Sequence, residues 1–208
     1  THAEIAIAAL AAGKHVWCEK PMSTTLADST AMANAAASSA GKTIIGYNYT
    51  KNPAVTHARR LVDSGVIGRV SGFFCRYDVD NEADGNRPWS WRMSRAQSGT
   101  GSNGDVLSHV ISVAHFLTNS SISRVVGDYT IVHKERADSQ AAGQTKIVDN
   151  DDMVAALIHF ENGVKGHIGA SRVTWGRKCG LRWELHGTEG TIMYDQDCLL
   201  YTSDAADE

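Results

Sequence analysis

The segment His15-Val16-Trp17-Cys18-Glu19-Lys20-Pro21 decides how this chain is read. A short β-forming run leads into a carboxylate, a lysine and a proline, and proline cannot continue a strand ladder because it has no N–H to donate. His15 to Cys18 is therefore expected as a short strand, with Lys20 at its carboxyl end. Upstream, residues 2–12 have helical composition and stop at Gly13, a natural C-terminal cap. Downstream, Ser23 and Thr24 stand where an N-cap belongs, Leu26 to Ala40 read as an alanine-rich helix ending at Gly41, and Thr43-Ile44-Ile45-Gly46-Tyr47 reads as a second, buried strand. Alternation of helix and strand at these lengths indicates βαβ units and a parallel sheet, whose ligands bind at the carboxyl ends of the strands. Lys20 stands at such an end.

The pattern changes after Asn52-Pro53, which places a domain boundary near residue 48. A helix from Ala54 to Ser64, a turn over 65–68 and a strand from Val70 to Tyr77 open the second region. Residues 81–103, carrying Trp89 and Trp91, read as a long irregular loop, and long loops in compact domains are usually functional or disordered. A helix over 103–117 follows, then a strand from Ile122 to Lys134 and a polar loop through Asn150. Met153 to Phe160, Asn162-Gly163 and Val164 to Ser171 form the strongest hairpin signal in the chain. Leu181 to His186 and Thr191 to Tyr194 form another pair. The expected architecture is an α/β unit over 1–48 followed by an α+β unit over 49–197 with a mainly antiparallel sheet. The last eleven residues, Cys198 to Glu208, read as the translated read-through of a sequencing-library adapter and are set aside from fold reasoning. The chain is accordingly expected to be a piece of a longer protein, cut at both ends.

A net charge of -3 and the absence of any Lys/Arg cluster beyond pairs such as Arg59-Arg60 leave no electrostatic footprint for nucleic acid or an anionic membrane. No apolar run approaches the roughly 20 residues of a membrane span. These features favour a small-molecule partner, with cytoplasm as the default compartment. Cys18, Cys75 and Cys179 form no C-x-x-C pair and are expected as reduced core thiols.

The candidate chemistry lies in Asp105-Val106-Leu107-Ser108-His109. At about 100° per residue, a helix over 103–117 brings Asp105, His109 and Ser112 to within roughly 40° of one another, on a helix otherwise apolar almost all round. A buried helix of that kind aims its polar stripe at an internal network or a ligand cavity, because unpaired buried charge is very costly. The bland reading is a carboxylate near a helix N-terminus with a satisfied core histidine. His115 points away from His109, so no metal site is expected. His159, His167 and His186 alternate with apolar residues on strands and receive no role. The Trp89-Ser90-Trp91-Arg92 cluster is either surface anchoring or an aromatic and guanidinium wall around a planar cofactor.

Several motifs in order resemble the glucose-fructose oxidoreductase, inositol dehydrogenase and related oxidoreductases called Gfo/Idh/MocA. They are His-Ala-Glu-Ile-Ala-Ile-Ala-Ala-Leu from residue 2, Ala-Gly-Lys-His-Val from 12, Glu-Lys-Pro at 19–21 and Gly-Tyr-Asn-Tyr at 46–49. Further on come Gly-Val-Ile-Gly-Arg-Val at 65–70, Gly-Asp-x-x-x-His at 104–109 and His-Gly-Thr-Glu-Gly-Thr at 186–191. The resemblance implies the C-terminal part of a Rossmann dinucleotide-binding domain, followed by a domain whose open sheet mediates a homo-oligomer, a dimer or tetramer. It implies NAD or NADP as cofactor and a sugar, anhydrosugar or cyclitol as substrate. By motif, Lys20, Asp105 and His109 are carried over as catalytic. Glu19, Lys20, Pro21, Asn48, Trp91 and Arg92 are carried over to the cofactor, and Lys20, Tyr49, Asp105 and His109 to the substrate. One departure is Thr50, where relatives commonly have arginine, with Lys51 as a candidate substitute. Histidine ordinarily titrates near 6.5 and lysine near 10.4, so His109 is the expected general base. A cofactor-dependent glycosidase on the same scaffold is disfavoured by the intact Glu19-Lys20-Pro21. A non-catalytic dinucleotide-binding regulator is disfavoured by the joint presence of Lys20, Asp105 and His109.

Overall fold

The computed structural model describes residues 2–197, so the adapter-like stretch lies outside the described residues. Helix α1 (His2–Ala11) ends before Gly13, whose φ of 69° is the left-handed conformation open to glycine without a Cβ clash. Strand β1 (Val16–Cys18) follows. Helix α2 (Leu26–Ser38) is capped by Thr25, whose hydroxyl accepts from the Asp28 N–H at 3.1 Å, one residue beyond the expected cap. Strand β2 (Thr43–Ile45) pairs with β1 in parallel, Trp17 opposite Ile44. Ala6, Cys18 and Met32 are buried between the helices and this sheet. Trp17 and Ile44 share its other face and stay exposed, so β2, expected as a buried strand, is covered by helices on one face only.

Helix α3 (Pro53–Asp63) opens with the Asn52 side chain accepting from the Ala54 N–H at 2.8 Å and with Pro53 in the first turn, where its missing N–H has no helical partner to lose. The remaining elements are β3 (Val70–Asp78), α4 (Arg95–Ser98), α5 (Ser108–Thr118), β4 (Ile122–Thr130), β5 (Glu135–Ala137), β6 (Thr145–Ile147), β7 (Met153–Phe160), β8 (Lys165–Ser171), β9 (Gly180–Gly187) and β10 (Thr191–Asp195). Six strands form one sheet in the order β10-β9-β3-β8-β7-β4, with β3 and β8 its parallel pair and the other pairings antiparallel. This is the mainly antiparallel sheet expected of the second region.

The strand expected over Ile122 to Lys134 ends earlier, at Thr130. The Asp152 carboxylate accepts from the main-chain N–H groups of Val132 and His133 at 2.8 and 3.2 Å, drawing the chain out of the ladder. The stretch read as a polar loop through Asn150 contains the small β5–β6 hairpin. The long loop over 81–103 contains a 3₁₀ turn, Trp91–Met93, and α4.

Helix α5 lies on one face of the large sheet. Val110, Val113, Ala114 and Leu117 pack there with Phe73, Ile158, Ile168, Leu181 and Leu185, which are almost wholly buried. The opposite face is open: Met193, Glu184, Phe74, His167, Leu157 and Val126 stand in one cross-strand row, and Val126 is 75% exposed. Between β3 and β8 the strands meet with no space for a side chain at Gly166, where a Cβ would overlap the main chain of Phe73. Gly166→Ala is expected to lower stability by about 1–3 kcal/mol, the usual cost of overpacking, read from the midpoint of urea unfolding. An unchanged midpoint would mean that the β3–β8 contact is looser than described.

Candidate active site

Beyond β1 the chain turns out of the small sheet through Glu19, Lys20 and Pro21, with a cis Lys20–Pro21 peptide. The Gly46 N–H continues the pairing to the Cys18 carbonyl at 2.9 Å. A Cβ on Gly46 would stand 3.1 Å from Glu19 Oε2, so glycine leaves the Glu19 carboxylate space beside the backbone. Lys20 Nζ reaches across to Asp105, 2.5 Å from Oδ1 and 2.9 Å from the main-chain carbonyl. Two residues far apart in sequence thus meet as an ion pair.

Asp105 sits in a π-helical turn, Asn103–Leu107, that precedes α5. A continuous α-helix from 103 to 117 was expected to align Asp105 with His109 and Ser112. The wider π turn alters that alignment, as single π turns at functional sites often do. Asp105 lines one cleft, His109 and Ser112 line a second, and Glu19 and Lys20 line both. Lys20 therefore joins what one helical face was expected to hold.

His109 is 7% exposed and packed edge-on against three phenol rings, those of Tyr47, Tyr49 and Tyr77, at centroid distances of 5.6, 5.0 and 6.0 Å. Its Nδ1 is buried without a hydrogen-bond partner among the described residues. Burial, seconded by the Lys20 charge and opposed by Asp105, lowers the His109 pKa to about 4. The ring is therefore neutral at pH 7. The Tyr49 hydroxyl lies 2.7 Å from the Tyr77 hydroxyl and 3.0 Å from Cys179 Sγ, and burial first, then the thiol, pushes that phenol up to about 12. With its hydroxyl bound internally, Tyr49 presents its ring to His109.

The first cleft has a volume of about 480 Å³. Trp91 and Arg92 form one of its sides, the guanidinium 4.6 Å from the indole centroid, and Glu19, Lys20 and Pro21 also line it. Trp89 turns elsewhere: its Nε1–H donates to the Ile147 carbonyl at 2.9 Å and Lys146 lies over its ring. The tryptophan cluster thus divides between anchoring and cleft wall. Asn48 and Tyr49 lie in the second cleft with His109, apart from Trp91 and Arg92. Thr50 closes its own turn by donating to the Tyr47 carbonyl at 3.0 Å, and Lys51 lines the same cleft. Among the described residues no His, Cys, Asp and Glu group is arranged to hold a metal ion, and no helix is long and apolar enough to cross a membrane.

The sequence reading missed Asp149-Asn150-Asp151-Asp152: it placed the first two at the end of a polar loop and gave the last two no element or role. Asn150, Asp151 and Asp152 are buried, and Arg172 at the end of β8 is buried with them. The available signal was an unbroken run of acidic and amide residues abutting an apolar strand. By itself it reads as a solvated turn, because the buried arginine that answers it comes from another strand.

A short parallel sheet followed by a lysine, and an α+β unit that returns an aspartate and a histidine to the clefts beside that lysine, are the features against which known proteins are compared. The chain belongs to the GFO/IDH/MocA family: residues 55–193 match the GFO/IDH/MocA C-terminal domain, and residues 1–47 match the oxidoreductase family, NAD-binding Rossmann fold. Levoglucosan dehydrogenase of Pseudarthrobacter phenanthrenivorans (strain DSM 18606 / JCM 16027 / LMG 23796 / Sphe3) is 36% identical, over 99% of this chain and 57% of its own length. The 1,5-anhydro-D-fructose reductase of Ensifer adhaerens is 31% identical, over 92% and 53%. A solved levoglucosan dehydrogenase, in complex with NADH and L-sorbose, superposes with a TM-score of 0.89 at 39% identity, covering 94% of this chain and 51% of that one. The chain spans about half the length of the relatives it matches.

The lowered His109 pKa has a consequence for stability. Between about pH 4 and 6.5 the unfolded chain binds more protons at this site than the folded one, so the contribution of His109 to stability rises with pH through that window and is lost as pH falls through it. His115, also lowered by burial, acts in the same direction. His109→Gln should flatten the rise in urea midpoint between pH 4 and 6.5, leaving the smaller dependence from His115. An unaltered slope would contradict a buried, neutral imidazole.

Proposed function

We propose that this chain is the catalytic portion of an NAD(P)-dependent dehydrogenase acting on a hydroxyl-bearing carbon of a sugar, anhydrosugar or cyclitol. The observation that carries this reading is the Lys20 ammonium held by Asp105 beside a neutral, buried His109. In this reading residues 1–48 form the cofactor side and residues 49–197 the substrate and assembly side.

Oxidation of a secondary alcohol removes the hydroxyl proton and, from the same carbon, a hydride. When bound, the nicotinamide supplies the hydride acceptor. His109 takes the hydroxyl proton: its ring is neutral and able to accept, and burial makes it a weaker base than the ordinary imidazole the sequence suggested. Lys20 donates a hydrogen bond to the substrate oxygen and orients it, Asp105 holds the direction of the ammonium, and Tyr49 packs the histidine. The first cleft fits the nicotinamide end of a dinucleotide: it offers an indole face, the Arg92 guanidinium and the Glu19 carboxylate in a volume ordinary for ligand sites. Glu19, Lys20, Pro21, Trp91 and Arg92 are assigned there, with Asn48 approaching from the second cleft. The relative solved with NADH favours NAD over NADP. Names such as levoglucosan dehydrogenase and 1,5-anhydro-D-fructose reductase favour an anhydrosugar or a related polyol. The open sheet face, with Val126, Leu157 and Met193 exposed, is assigned to contact between copies of the protein.

The test is expression of the complete gene and measurement of reduced-nicotinamide absorbance across inositols, aldoses and anhydrosugars with each cofactor. Turnover with a polyol is expected; silence across the panel with tight dinucleotide binding would favour the cofactor-dependent glycosidase or the regulator reading. In the active enzyme, His109→Ala should lower kcat by roughly 10²- to 10⁴-fold, the usual worth of positioned acid-base catalysis, with cofactor affinity nearly unchanged. Loss of cofactor binding instead would remove His109 from the role of base.

A further inference from the structure

Apart from Met93, which is fully buried, the two sides of the first cleft that come from residues 91–105 bury few apolar side chains, yet they carry Trp91, Arg92 and Asp105. Their main chain is gripped by side chains of residues 149–151, of which Asn150 and Asp151 are buried and Asp149 is exposed. The Asp151 carboxylate accepts from the Gly101 N–H at 2.9 Å and from the Asn103 N–H at 2.5 Å, while its carbonyl accepts from the Ser102 N–H at 2.8 Å. These three donors lead into the π turn that presents Asp105. Asn150 donates through Nδ2 to the Arg92 carbonyl at 2.7 Å and to Ser98 Oγ at 2.9 Å. Asp149 accepts from the Arg95 N–H at 2.5 Å.

Arg172 completes the set from the end of β8. Its guanidinium donates to Asp152 Oδ1 and Asn150 Oδ1, each at 2.8 Å, and to the Arg92 carbonyl at 3.2 Å. Gly101 lies where both systems meet: a Cβ there would overlap the Asp151 carbonyl and approach Arg172 Nη1 to 3.0 Å. A buried ion pair is a poor source of net stability, because desolvation offsets most of the attraction. A planar guanidinium with donors in fixed directions is an effective positioning device.

We propose that Asp151 and Arg172 are positioning residues of this site: the Asp151 carboxylate sets the turn that presents Asp105 to Lys20, and the Arg172 guanidinium sets the main chain of Arg92 and hence the Trp91–Arg92 wall. The proposal rests on the dehydrogenase reading above. Asp151 acts on the reacting end and Arg172 on the cofactor end, so their removal separates in kinetics. Asp151→Asn replaces one acceptor oxygen by an amide that opposes a main-chain N–H. Arg172→Lys keeps the charge facing Asp152 but cannot reach Asn150 and Arg92 together.

The experiment is steady-state kinetics of the enzyme from its complete gene, with amide hydrogen exchange on the same samples. Asp151→Asn is expected to lower kcat roughly 10- to 100-fold, as small misplacements of catalytic groups do, with cofactor KM little changed and faster exchange confined to residues 101–105. Arg172→Lys is expected to raise cofactor KM roughly tenfold with a smaller effect on kcat, the loss arising from wall geometry. If Asp151→Asn does not fold, Arg172→Lys alone decides through that split. Kinetic constants per folded enzyme equal to wild type, with exchange raised throughout the chain, would assign the network to general stability and overturn the proposal. A wild-type enzyme inert to every polyol removes the reaction and the positioning role together, whereas an active wild type whose variants keep kcat and KM overturns the positioning role alone.

Discussion

Contact between the Lys20 ammonium and Asp105 is the constraint around which this structure is arranged. It ties the carboxyl end of the short parallel sheet to the helical layer of the α+β unit, and it places the same lysine on both clefts. The pair is partly exposed, so its contribution to stability is modest by the usual measure of such ion pairs. Its importance is directional. A lysine held by both the carboxylate and the carbonyl of one residue has little freedom to turn elsewhere, and its charge adds to the forces that keep His109 unprotonated.

His109 shows how packing sets chemistry here. A solvated histidine would be partly charged near pH 6.5, and the tyrosines around this ring remove the water that would hold that charge. Tyr47 precedes the 3₁₀ turn that follows β2, Tyr49 lies within that turn, and the third comes from β3. The imidazole environment is thus assembled from both units. The hydroxyls of Tyr49 and Tyr77, with Cys179 and Gln196, satisfy one another away from the histidine. That arrangement limits the desolvation penalty of burying phenols.

The cleft walls obey a different rule. Apart from the buried Met93, residues 91–105 are polar and rich in glycine and serine, and their main-chain donors and acceptors are met by carboxylates and an amide from the segment before β7 and a guanidinium just after β8. The same Asp152 that receives Arg172 also ends β4 by taking two N–H groups from the strand's continuation. One largely buried acidic run therefore shapes a sheet edge and the wall of the first cleft together.

By itself the sequence determined the alternation of α1, β1, α2 and β2, the β7–β8 hairpin at Asn162-Gly163, and Lys20 at a strand end, because periodicity, caps and turn residues are local properties of the chain. It also singled out Asp105 and His109 as ionisable groups on an apolar helix, since that mismatch is visible without coordinates. Tertiary structure alone decided that a π turn separates them onto different clefts, that Trp89 anchors a loop while Trp91 walls a cavity, and that a run of acids resembling a solvated turn is buried. Each of these depends on a partner distant in the chain: Lys20 for Asp105, the Ile147 carbonyl for Trp89, Arg172 for Asp152. A carboxylate's role is set by what desolvates it and what it is paired with, and neither is written in its own neighbourhood of the sequence.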